Sequence, residues 1–354
     1  MTVQDLINAS INSILSFFRV PDGAGGWFTV TQQEVIDTLN LATVPTSLKV
    51  VYTGTLPISF PPIQMLGTSA MSVITHSGDN AVTPLAGVSS MSNLSFTDSL
   101  GLLTTLEFTN LNSLLTPSSG FSPSGLANLT SLSLPELTYV GSSFNPIQCG
   151  SLTALSIPLL VFVGNAFSPG TMAALTTLSA PALAFVGGNF QPATMASLTT
   201  FSFPALKYIA GQFAPATMAS LAVISLPNLQ KIGGGSTVSA MASLTQVSLP
   251  SMVAYVAGLT ASSGLGNLTT VTLGTIGTLK IGPSPISITG QKLDQASVNG
   301  ILALLVSLDG TNGTTLWGAG KTVNLSGGTS AAPSGAGISD KATLVARGAT
   351  VTTN

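Results

Sequence analysis

The chain has 354 residues, 45% of them hydrophobic, yet Asp, Glu, Lys and Arg together make up only 6%, against about 25% in an ordinary soluble domain. Nine basic and eleven acidic residues leave a net charge of -2, which offers no basic footprint for a phosphate backbone or an anionic membrane surface. A single cysteine, Cys149, excludes an intrachain disulfide, and a single histidine, His76, leaves metal binding and imidazole catalysis almost without raw material.

At the N-terminus, Val3, Ile7, Ile11, Ile14 and Phe18 share one stripe at helical spacing, and Thr31-Gln32-Gln33-Glu34 forms a capping box ahead of a second short helix ending near Leu41. The sequence opens Met1-Thr2-Val3-Gln4-Asp5 with no cation before Arg19, so no export signal is expected. Apolar runs such as Ile301 to Val306 fall short of the roughly 20 residues that span a bilayer. Residues 45–100 are rich in Ser, Thr, Pro and Gly, with short β-type runs such as Leu48 to Tyr52. His76 stands there without a companion at ligand spacing and reads as a loop histidine.

Beyond this region the chain repeats itself. Prolines fall at 135, 158, 181, 204, 227 and 250, each 23 residues from the next. Around them recur Leu129, Leu152, Leu175, Leu198, Leu221 and Leu244, then Leu132, Leu155, Leu178, Phe201, Ile224 and Val247, in a frame LxxLxLPxLxxVGxxF. The LxL step has period two and predicts one short strand, which the proline ends because it lacks an N–H. One such unit cannot bury its apolar face alone, so the expected product is a stacked solenoid. Gly141, Gly164, Gly187, Gly211 and Gly233 mark its turns, and Phe144, Phe167, Phe190 and Phe213 predict an inner aromatic stack.

This frame resembles the BspA-type leucine-rich repeat. Cys149 falls where that family often places a cysteine, with Met172, Met195, Met218 and Met241 in the same place of later copies, all read as core filling. Degenerate copies are expected at Leu103-Leu106-Phe108-Leu111 and Leu268-Val271-Leu273. The resemblance implies a binding or adhesive scaffold of surface-exposed proteins.

Two columns are candidate interaction surfaces. Ser133, Ser156, Ser179, Ser202, Ser225 and Ser248 occupy the outward position of each strand, and a charge kept at that phase would stack on its own kind about 5 Å away. Tyr139, Phe162, Phe185 and Tyr208, followed by Lys231 and a displaced Tyr255, form a second column, usually polar and exposed in the related family, that could stack on sugars or pack on a protein; cross-strand stacking within the sheet is the competing reading. Between Glu136 and Asp294 there is no carboxylate, so a solenoidal carbohydrate-active enzyme lacks its acid and base. Ice binding by the hydroxyl face is opposed by Ala154, Ala222 and Val223, which break the threonine columns.

At the C-terminus the spacing predicts a helix over Asp294 to Leu308, a strand from Lys321 to Leu325, a helix from Ile338 to Ala346 and a strand from Ala349 to Thr353. Asn324-Leu325-Ser326-Gly327-Gly328-Thr329-Ser330-Ala331-Ala332-Pro333, with Lys341 to Asn354, resembles the closing module of many bacteriophage structural proteins. The sequence therefore predicts a mainly β repeat solenoid of leucine-rich type with 23-residue coils. Its expected parts are an N-terminal attachment region over 1–100, the solenoid over 101–290 and a capping module over 291–354. The implied function is a non-enzymatic virion protein (tail fibre, receptor binding or capsid decoration), the alternative being a bacterial cell-surface adhesin. Such a protein needs no cofactor and no metal, does not enter membranes or bind nucleic acid, docks on other virion components through its N-terminal region, contacts a host glycan or protein, and self-associates as a homo-oligomer.

Overall fold

A computed structural model of the chain describes residues 120–261 and 264–354, together with short strand segments earlier in the sequence. The two helices expected near the N-terminus, and His76, fall outside the described residues. The protein is a parallel β-solenoid with coils of about 23 residues, and it divides into two units, one holding residues 31–205 and the other 206–354.

In the first unit each coil contributes to three parallel ladders, where the repeat frame predicted only one strand. The first ladder is the predicted LxL strand: Ser131–Ser133 pairs with Ala154–Ser156, and Thr177–Ser179 with Thr200–Ser202, residue on residue. The second is the aromatic-Val step, Tyr139–Val140, Phe162–Val163 and Phe185–Val186, again parallel and without a shift. The third consists of bridges linking Phe121, Phe144, Phe167 and Phe190 in succession. The extra ladders follow from close backbone approach at glycine: a Cβ on Gly164 would collide with the carbonyl of Gly141, and one on Gly187 with that of Gly164. Gly211 belongs to the neighbouring column, since its carbonyl accepts from Gly234 N at 2.8 Å.

Two turns per coil are built from the repeat's own residues. After each LxL strand a β-turn closes with Leu137 N donating to Leu134 O (3.3 Å) and Leu183 N to Ala180 O (3.1 Å), and the repeated proline stands at its second position. Its ring fixes the φ that this position needs. The other turn closes with Leu152 N on Cys149 O and Leu198 N on Met195 O. Just before it one residue per coil is left-handed: Gly125, Gln148, Thr171 and Thr194, with φ between 56° and 71°.

The core is the sum of these columns. Leu129, Leu132, Leu134 and Leu137, Cys149, Met172 and Met195 are fully buried, as are most of their counterparts in later coils, whereas Leu155 is half-buried. The phenylalanines stack as expected, with centroids 5.3, 5.4 and 5.3 Å apart along Phe121, Phe144, Phe167 and Phe190. Coils begin before residue 101: Thr83–Pro84 pairs with Thr105–Glu107, and Ser90–Met91 with Ser113–Leu114. The degenerate copy at Leu106 holds register with Leu132 through a longer coil, and Thr130 Oγ1 reaches back 26 residues to Thr104 O.

The second unit has its own LxL ladder of Val223–Ser225, Gln246–Ser248 and Thr270–Thr272. It also holds a regular five-stranded sheet, Ser236–Val238, Leu259–Ala261, Ile286–Ile288, Thr322–Asn324 and Thr350–Thr352, all parallel. Among the described residues there are two helices, α1 (Gln295–Val306) and α2 (Ala336–Ala346), so the expected helix-strand-helix-strand ending is present. Asp294 caps α1 by accepting from Ser297 N at 2.7 Å. At its other end Arg347 donates to Val306 O (2.9 Å) and Leu308 O (3.3 Å), a cation on carbonyls that the helix leaves open.

Candidate functional site: the hydroxyl face

The strand face of the first unit is a lattice of hydroxyls. Ser133 stands opposite Ser156, and Ser179 opposite Ser202. Ser156 is exposed and the other three are half-buried. In the second unit Ser225 and Ser248 are likewise opposed, the first exposed and the second half-buried. Alternation sends Leu132, Leu178 and Phe201 inward and leaves the serines outside.

A threonine column runs beside them, keeping the 23-residue spacing over four coils until Ala222 breaks it. Thr130, Thr153, Thr176 and Thr199 are exposed at the bend entering each strand. Thr153 Oγ1 donates to Thr130 O at 3.1 Å and Thr199 Oγ1 to Thr176 O at 3.2 Å, so these two hydroxyls tie their coils to the one before. Thr245 and Thr269 repeat the bond in the second unit at 3.1 Å each.

The ring column is a correction. Tyr139, Phe162, Phe185, Tyr208 and Tyr255 are 6%, 1%, 0%, 3% and 2% exposed. No ring face is open to a sugar or a partner. The two-residue strands that carry them are short, and the glycine turns that follow fold over the ring edges, since a Cβ on Gly164 would touch Phe162 Cε1 at 3.4 Å. Within the column Tyr139 and Phe162 are stacked at 4.8 Å with planes 2° apart. In the second unit Tyr208 donates its hydroxyl to Gln230 Oε1 at 2.9 Å, and the buried Lys231 ammonium lies 5.7 Å from the Tyr208 ring centre. Tyr255 stands one register on, opposite Ile232, and burial of its hydroxyl holds the phenol far above its ordinary pKa.

Nucleophiles and ligands are scarce. Cys149 is free and buried, and loss of solvent raises its thiol to about 11 although a backbone hydrogen bond involving Leu126 opposes the shift. Among the described residues no group of three or more His, Cys, Asp or Glu side chains could hold a metal ion, and no helix is long and apolar enough to cross a membrane. One cleft of about 210 Å³ lies in the second unit between Thr270–Thr272 and α1, with Ile301 and Leu304 as floor and Asp294 at the rim.

The C-terminal motif residues are structural. Asn324 Oδ1 accepts from Ser326 N (3.0 Å) and Ser326 Oγ (2.7 Å), while Asn354 accepts from Gly327 N and donates to Ser330 O, each at 2.7 Å. Gly328 has φ +60°, and a Cβ there would meet the carbonyl of Gln291. No family model, curated protein or solved structure matches the chain.

Proposed function

We propose that the protein is a non-enzymatic structural component of a bacteriophage particle, with its solenoid presented for contact and its N-terminal region docked on another virion protein. The observation that carries this reading is the C-terminal module. Its sequence resembles the closing module of phage structural proteins, and Asn324, Ser326, Gly328 and Asn354 are the residues that lock its loops together. LxL strands without titratable groups from Ser131 to Ser202 suit a scaffold better than a reaction centre. Mass spectrometry of purified particles from the phage or prophage that carries the gene tests the assignment. Presence at a fixed ratio to the major capsid protein supports it, and absence from washed particles overturns it.

The repeat frame favours a second reading, a bacterial surface adhesin of the BspA-like leucine-rich type. Fractionation separates the two, because an adhesin stays with the cell envelope in a strain that releases no particles.

A further inference from the structure

Resting on the reading above, we propose that the hydroxyl face between Ser131 and Ser202 is the contact surface of the first unit. Its ligand is a neutral polysaccharide in extended conformation, laid along the stack so that successive sugars meet successive coils.

Charge sets the class of ligand. Glu136 is the one charged residue between 120 and 205, and it sits in the turn beside Pro135, off the strand; the next charge along the serine column is Glu107, paired in register with Ser133, and it is an anion too. No lysine or arginine is present there to pair with a carboxylate, sulfate or phosphate, and burying a polymer's charge on this face would leave it uncompensated. A neutral chain meets no such penalty.

Hydrogen-bonding capacity sets the chemistry. Thr130, Thr153 and Thr199 already donate to main-chain carbonyls of the preceding coil at 2.9, 3.1 and 3.2 Å, so these exposed hydroxyls are left as acceptors. No hydrogen bond within the described residues engages the hydroxyls of Ser133, Ser156, Ser179 or Ser202, which keep both donor and acceptor. Sugars carry the complementary mixture.

Periodicity sets the form. Within each of the two strand pairs of this face the rungs advance about 4.8 Å, close to the advance of one pyranose in an extended chain. Each contact replaces one made with water and gains little. Affinity therefore comes from repetition along a polymer, and a monosaccharide is not retained. The first unit breaks these rows once, at the exposed Ala154, whereas the second breaks two of them in a single coil, at Ala222 and at Val223, the latter 41% exposed, which places the surface on the first.

The test is a printed array of neutral polysaccharides (β-glucan, mannan, galactan, α-glucan) with acidic ones alongside, probed with the full chain. The wild type is expected to bind at least one neutral polymer, uncompeted by its monosaccharide. Ser156→Asp with Ser179→Asp should lose binding tenfold or more, while Ser225→Asp, on the interrupted rows, should retain it. Thr177→Ala with Thr200→Ala removes two hydroxyls without adding charge, with a loss of about threefold expected, and keeps the test readable if the aspartates unfold the chain. Binding to acidic polymers only, to none, equally by both aspartate variants, or shaping of ice crystals without any polysaccharide binding overturns the inference. A chain present in particles that binds no polysaccharide defeats this inference alone; a binding chain absent from particles defeats the virion reading instead.

Discussion

The main-chain N–H of Val271 donates to Ser297 Oγ at 3.0 Å, a bond buried between the last strand of the LxL ladder and the first turn of α1. A parallel strand at the end of a stack exposes donors that would template another chain, and the helix silences this one with a side chain. Ser297→Ala should leave the buried N–H unpaired and cost about 1–3 kcal/mol. Chemical denaturation of the full chain checks it, with Ser297→Thr restoring most of the loss.

Replacing Gly164 with alanine forces a methyl against the Gly141 carbonyl. Coils must separate locally, and the expected destabilisation is about 2–3 kcal/mol, the range seen for overpacked interiors. Gly150→Ala is the control, since a Cβ there meets nothing within 4 Å. Melting temperatures of the pair should diverge; equal melting would show that the coils slide apart freely.

The left-handed column predicts a gain. Thr171 and Thr194 hold φ values of 56° and 58°, where a β-branched residue is disfavoured, whereas Gly125 and Gly264 occupy the same place at 71°. Asn tolerates this region, so Thr194→Asn should stabilise by about 1 kcal/mol, read as a higher denaturation midpoint with an unchanged slope.

Phe167 packs between Phe144 and Phe190 and meets Phe203 edge-on at 5.6 Å. Phe167→Ala should cost about 3–5 kcal/mol, enough to expose apolar surface that binds a hydrophobic dye at room temperature. A mild effect would show that the stack collapses around the gap.

Cys149 supplies a pH dependence. Its thiol rises from an ordinary 9.0 to about 11 on folding, chiefly through burial. The unfolded chain therefore loses this proton first, and between those values it binds fewer protons than the native state. Stability from this group is fully present below pH 9.0 and is lost as pH rises through about 11. Cys149→Ala should flatten that alkaline decline, and native protein at pH 8 should resist alkylation until denaturant is added.

The coil length, the strand, the proline turn and the phenylalanine stack were all legible, because each is a column of one residue type at fixed spacing. What the spacing could not convey was direction. Tyr139 and Val140 alternate, so period two predicts that one of them faces out, yet both are buried because the strand is only two residues long and a glycine turn folds over it. The same turn creates the second and third ladders, which depend on how closely Gly164 and Gly141 approach, a distance that no hydropathy pattern encodes. The threonine column was present in the letters, but its bonds to the preceding coil appear only once the coils are stacked.

Unshifted pairing has an evolutionary corollary. Excising residues 154–176 would set Thr177–Ser179 directly on Ser131–Ser133, with leucine still over leucine and serine over serine. Unequal recombination between copies can thus lengthen or shorten the protein by whole coils without inventing a new contact. Reach becomes a trait that selection adjusts in discrete steps while the ends of the chain stay as they are.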